Sequence, residues 1–205
     1  MWELDIPEIT DEFESLGMPI EESTFYAVET SPSTNGISDN TGMYSPRKKT
    51  GYVEFLDDLD STYHNFAHEA GHASFFENTP IGLKITELEK EVHQIERRLF
   101  GNPRDQKFEA RPSKEVDSSL LIGENPKTYL VNKSNLKKYR KKRTQLNQFV
   151  EDNIGIIEGY AVLMEEEIIG DIERELPPIY KQGYNQLTKA RNKTDLDSVI
   201  NFLKQ

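Results

Sequence analysis

The sequence predicts an α+β fold in a single domain, with a small sheet ahead of several helices. Three observations predict it. Residues 24–56 hold short β-branched and aromatic runs separated by Gly, Pro, Asn and Ser. Beyond residue 60, apolar residues recur at spacings of three and four, the period of a helix packed on one side. The 205 residues, 35% hydrophobic and 30% charged, suit one domain with a core of its own.

Residues 1–22 carry eight acidic side chains and no basic one. Trp2, Leu4, Ile6, Ile9, Phe13, Leu16 and Met18 are interleaved with them, and Ile9, Phe13 and Leu16 have helical spacing. A short helix docked on the domain is expected. The alternative is an acidic segment that covers a cleft and restrains activity. Three strands follow, over Thr24–Thr30, Thr41–Tyr44 and Gly51–Leu56, with breaks at 31–36 and 45–50. They predict a three-stranded, mostly antiparallel sheet. Met43 and Tyr44 are candidates for an edge strand, which can pair with an extended peptide, although the sequence alone does not place them there.

Asp57, Asp58 and Asp60 load acids at the start of a helix over Ser61–Glu77, which suits the positive end of its dipole. Phe66, Phe75 and Phe76 are its core candidates. Gly71 inside it costs about 1 kcal/mol against Ala, which predicts a close-packing reason. A second helix over 83–100 has the stripe Leu88, Val92, Ile95 and Leu99, with His93 off the stripe on the surface. Gly101-Asn102-Pro103 ends it. Residues 102–132 read as a polar excursion, either a flap over the cleft or a holder of short elements. A third helix, Ser134–Asp152, carries the basic run Lys137–Arg143, read as a solvated face that pairs with the acidic first 46 residues, with a patch for nucleic acid or an anionic surface as the alternative. A further buried helix starts near Ile156 and presents Ile157, Ala161, Met164 and Ile168 on one face. Residues 81–150 thus form a helical and loop insertion in the domain.

The composition narrows the function classes. A net charge of −11 disfavours nucleic-acid binding. The absence of Cys removes disulfides, thiolate chemistry and Cys-ligated metal. No apolar run approaches the length of a membrane span, and no basic and apolar leader precedes the first strand. A cytoplasmic protein with no membrane partner is the expectation.

The chemistry centres on His68-Glu69-Ala70-Gly71-His72. On a helix, residues four apart share a face and lie about 6 Å apart along the axis. Two imidazoles so placed can converge on one metal, and Glu69 can act as general base on its open side. A buried helix with hydrogen-bonded histidines is the competing reading. A catalytic zinc normally has three protein ligands. Asn78, ten residues after His68, is no such ligand. The remaining candidate is Glu158, in Ile156-Ile157-Glu158-Gly159-Tyr160-Ala161-Val162-Leu163-Met164-Glu165.

Together these two segments resemble the gluzincin zinc metallopeptidases. The Glu-Gly-Tyr-Ala context is locally similar to the aminopeptidase N family, and the chain length to the minimal archaeal gluzincins. The resemblance implies a zincin-like fold, Zn²⁺ held by His68, His72 and Glu158, and Glu69 as general base and acid. It also implies that Glu165 supports one of the zinc-ligating imidazoles. Ile179-Tyr180-Lys181-Gln182-Gly183-Tyr184 is similar to that family's Tyr-x-x-Gly stretch. This implies Tyr180, or failing it Tyr184, as the donor that stabilises the oxyanion. No Gly-x-Met-x-Asn signature precedes the motif, so an endopeptidase is expected, with a peptide or protein as its partner. Two alternatives stand beside it. One is a self-inhibited or non-catalytic regulatory protein on a zincin scaffold. The other is a repressor-cleaving regulatory zincin, which the order Gly42-Met43-Tyr44, Tyr52-Val53-Glu54, His68-Glu69 resembles.

Overall fold

The computed structural model describes residues 2–4, 6–20, 22–29, 42–55, 59–100, 133–170, 175–190, 199 and 203. The expected 102–132 excursion, the breaker over 31–36 and the acids Asp57 and Asp58 lie outside these residues. The fold is α+β and mostly helical. In chain order the elements are β1 (Trp2–Leu4), α1 (Pro7–Ser15), β2 (Thr24–Glu29), β3 (Gly42–Ser45), β4 (Thr50–Phe55), α2 (Leu59–Asn78), α3 (Pro80–Phe100), α4 (Lys133–Ile169) and α5 (Pro178–Ala190). Two compact units emerge, one of residues 1–87 and 149–205, the other of residues 88–148.

In the first unit the sheet is four-stranded, in the order β1-β2-β4-β3. This corrects the three-stranded expectation. The added strand, β1, is three residues long and sits in the acidic segment, too short to register as an alternating pattern. It pairs antiparallel with β2, with Glu3 opposite Tyr26. β2 and β4 run parallel, and β3 and β4 form an antiparallel hairpin, so the sheet is mixed. Lys49 closes the hairpin turn with a φ of 51°.

Alternation along the strands decides which face is buried. Phe25 and Ala27 on β2 lie in register with Gly51 and Val53 on β4, and all four are buried. Tyr26 and Tyr52 stack on the opposite face at 6.0 Å between ring centroids. The buried face packs on α2, where the rings of Phe25 and Phe66 approach to 4.8 Å. Of the three α2 phenylalanines, Phe66 and Phe75 are buried, while Phe76 is half-buried and stacks on Tyr44.

The amino-terminal segment does hold a docked helix. Ile9 and Phe13 on α1 are fully buried and Met18 just beyond it nearly so. Ile9→Val should therefore cost about 0.5–1.5 kcal/mol, read as a lower denaturant midpoint at unchanged slope. An unchanged midpoint would mean that α1 is not part of the cooperative unit.

α2 and α4 cross at Gly71. A Cβ there would lie 2.9 Å from the Cα of Ala161, so the helices meet backbone to backbone. That is the packing reason for an interior glycine. α4 also corrects a sequence expectation. The basic helix and the glutamate helix are one continuous element of 37 residues. Asp152, Asn153 and Gly155 read as a break, but Asn153 donates back to the carbonyl of Phe149 at 2.7 Å, one turn earlier. Gly155 and Gly159 instead supply a smooth surface for α5.

In the second unit, Leu88, Val92 and Ile95 of α3 and Leu146 of α4 are buried, and Leu99 is half-buried. His93 is partly exposed and 3.5 Å from Glu96. The basic run on α4 is mostly exposed, with Lys142 paired to Glu91 at 2.6 Å.

Candidate metal centre

Helical spacing on α2 aims His68 and His72 at one side, and Glu158 reaches them from the middle of α4. His72 Nε2 lies 3.4 Å and His68 Nε2 3.7 Å from Glu158 Oε2. One donor atom from each residue lies within 4.8 Å of the other two, a grouping that can hold a metal ion. The two imidazoles stand edge to face, 4.9 Å between centroids. Two imidazole nitrogens and one carboxylate oxygen form a donor set that fits zinc. The residues singled out as ligands therefore do come together, although Glu158 lies mid-helix rather than in a first turn.

Glu165, two turns further along α4, is fully buried. Its Oε2 bonds His68 Nδ1 at 3.1 Å, and its Oε1 bonds His64 Nδ1 at 3.0 Å. The first contact turns the Nε2 of His68 towards the ligand cluster. The second was not foreseen. His64 precedes His68 by four residues, the same spacing that pairs His68 with His72, and that was the signal available in the sequence.

Electrostatics divide the acids. Burial pushes Glu158 up, but hydrogen bonds from His68 and His72 outweigh it and hold the carboxyl well below the usual carboxylate range. Burial pushes Glu69 above its ordinary value, against the opposing pull of His72 and His68. Burial alone would lower His68, yet hydrogen bonds to Glu158 and Glu165 and the charge of Glu69 push it up to about 9. Glu69 is 5% exposed, and its Oε2 is buried without a hydrogen-bond partner among the described residues. A carboxylate in this condition is a stronger base than one in water.

A cavity of about 510 Å³ opens on the cluster. β3, last in the sheet order, forms one rim through Gly42, Met43 and Tyr44. A Cβ on Gly42 would fall 2.5 Å from Glu69 Oε1, so only a glycine lets this strand pass so close to the carboxylate. Met43, on this edge, is 60% exposed. Val150, Ile154 and Ile157 of α4, with Leu176 and Pro177, build an apolar wall that sequence reading did not assemble. None of the described lining residues is Lys or Arg, and none comes from α1.

Tyr180 also lines the cavity, its ring parallel to that of His68 at 6.4 Å. Tyr184 is directed elsewhere and donates a short hydrogen bond to Glu166. Asn78, the position set aside as a ligand, donates to the carbonyls of Pro19 and Ser74. No described helix is long and apolar enough to cross a membrane. Comparison with family models, curated proteins and solved structures finds no match to the chain.

Proposed function

We propose that the protein is a zinc-dependent peptidase of gluzincin type with a zincin-like fold. The observation that carries this reading is the convergence of His68, His72 and Glu158, with the buried base Glu69 beside them. When bound, zinc supplies Lewis acidity, polarising a peptide carbonyl and easing deprotonation of a water molecule.

The protein's own groups do the rest. Glu69 takes a proton from the attacking water and returns it to the leaving amine. Glu165 holds the ring of His68 in one orientation. Tyr180, whose ring stacks over His68, is suited to donate a hydrogen bond to the carbonyl oxygen as negative charge develops there. β3 offers an edge on which an extended peptide can be laid across the cavity. The apolar wall supports a substrate with an apolar side chain next to the scissile bond, and the described lining residues offer no Lys or Arg to anchor a free carboxylate. An internal peptide bond is the better match.

The test joins zinc content with proteolysis of an unfolded protein. Wild type should hold one zinc and cleave beside apolar residues. Zinc without cleavage across a broad peptide library would leave a metal-binding regulatory protein instead. No zinc would end the reading.

Metal removal gives a separate expectation. A ligand that binds only the folded state, at a free concentration a hundred times its Kd, stabilises by about 2.7 kcal/mol. Chelation should therefore lower the melting temperature on the order of 5–10 °C. Replacing Glu158 by Gln should abolish most of that shift, because an amide is a poor zinc ligand.

A further inference from the structure

We infer that His64 is a positioning residue of the metal centre: it fixes Glu165, and through Glu165 the ligating imidazole of His68. The inference rests on the metal-centre reading above and goes beyond its ligand set.

The argument begins with a buried carboxylate. Glu165 has no exposed surface, and a buried carboxylate needs a donor for each oxygen. An ionised carboxylate only accepts hydrogen bonds. Its two oxygens are divided between two histidines of one helix face, 3.0 Å to His64 Nδ1 and 3.1 Å to His68 Nδ1. Both imidazoles therefore present an Nδ1–H to the same group. For His68 this commits Nδ1 to the carboxylate and leaves Nε2, the nitrogen that faces Glu158, as the one that can be given to a metal. For His64 it uses Nδ1 in the carboxylate bond, so that nitrogen is not a metal donor.

Without His64, Oε1 of Glu165 loses this donor at a site closed to solvent. The carboxylate can then rotate to relieve the loss. That loosens its hold on the His68 ring. With His64 in place the carboxylate is clamped on both sides by groups one helical turn apart. The side chain of His64 is itself 32% exposed, so it costs little to bury and can bridge the interior to the surface.

The experiment measures zinc dissociation constants of the full chain by chelator competition, with the visible spectrum of the cobalt(II) form as a second readout. His64→Phe, which keeps a ring and removes the donor, should bind zinc about tenfold or more weakly, the usual loss on removing a partner behind a ligand. His64→Asn places an amide N–H where Nδ1 stood, and should restore affinity to within about threefold of wild type together with the cobalt spectrum. Should His64→Phe alone prove unstable, the Glu165→Gln background serves. Because His64 acts through Glu165, adding His64→Phe there should cause no further loss. Zinc binding by His64→Phe equal to wild type would overturn the inference alone, as would His64→Asn failing as badly as His64→Phe. Wild type that binds no zinc would sink the metal-centre reading together with it.

Discussion

Glu69→Gln is expected to keep its zinc and lose about 10²–10⁴-fold in cleavage rate, the usual contribution of a positioned proton acceptor. The substitution is nearly isosteric, so the packing of Glu69 against Gly42 is kept. Glu69 is not one of the three grouped donor residues, and its replacement should leave metal content unchanged. The folded protein should gain rather than lose stability, or change little. Burial raises the carboxyl of Glu69, so ionising it inside the protein is unfavourable, and a neutral amide removes that cost. For the same reason the wild-type contribution runs opposite to the usual acidic residue. A group raised above its unfolded value stabilises below the unfolded value and loses that contribution as pH rises through the folded one. The variant that separates roles is Glu158→Gln, which should lose zinc and cleavage together. Equal cleavage by wild type and Glu69→Gln would remove Glu69 from the chemistry, whatever the zinc content.

The part of this site written on one helix was legible from spacing. His68, Glu69 and His72 need only the helical period to come together, and the period is a local property. Glu158 was legible because it is a carboxylate on a helix with a buried face, although the helix itself was misread. Asp152, Asn153 and Gly155 look like a stop signal, and local propensity does favour one. The structure overrides it because α5 needs the bare backbone of Gly155 and Gly159 more than α4 needs a better helix former there. The apolar wall could not be assembled from sequence, since Val150, Ile154 and Leu176 are brought to one cavity only by tertiary packing. His64 is the instructive case. Its spacing was plain, but a third histidine on the face had no assigned task until Glu165 appeared between it and His68.

That crossing of α4 and α5 carries the last prediction. A Cβ on Gly183 would lie 1.6 Å from the carbonyl oxygen of Gly155 and 2.3 Å from its carbon. These are backbone atoms inside a long helix and cannot turn aside as a side chain would. Gly183→Ala must therefore push α5 outward. Overpacking of this kind costs about 1–3 kcal/mol, offset by up to about 1 kcal/mol from the better helix propensity of Ala. Because the obstacle is rigid, the upper part of the range applies, and a net loss of about 2 kcal/mol is expected. Gln182→Ala on the exposed neighbour changes helix propensity only slightly and meets no clash, so it should stay within about 0.5 kcal/mol of wild type. The functional consequence follows from Tyr180, one turn earlier on α5, whose ring lies over His68. A displacement of about 1 Å in a positioning group can cost on the order of 10²-fold in rate. Gly183→Ala should thus retain zinc, since no ligand sits on α5, and lose cleavage about as severely as Tyr180→Phe. If Gly183→Ala is destabilised as expected and both it and Tyr180→Phe cleave at the wild-type rate, α5 is a structural buttress and Tyr180 has no part in the reaction. If Tyr180→Phe is inactive while Gly183→Ala is not, α5 relaxes around the methyl group without moving its tyrosine.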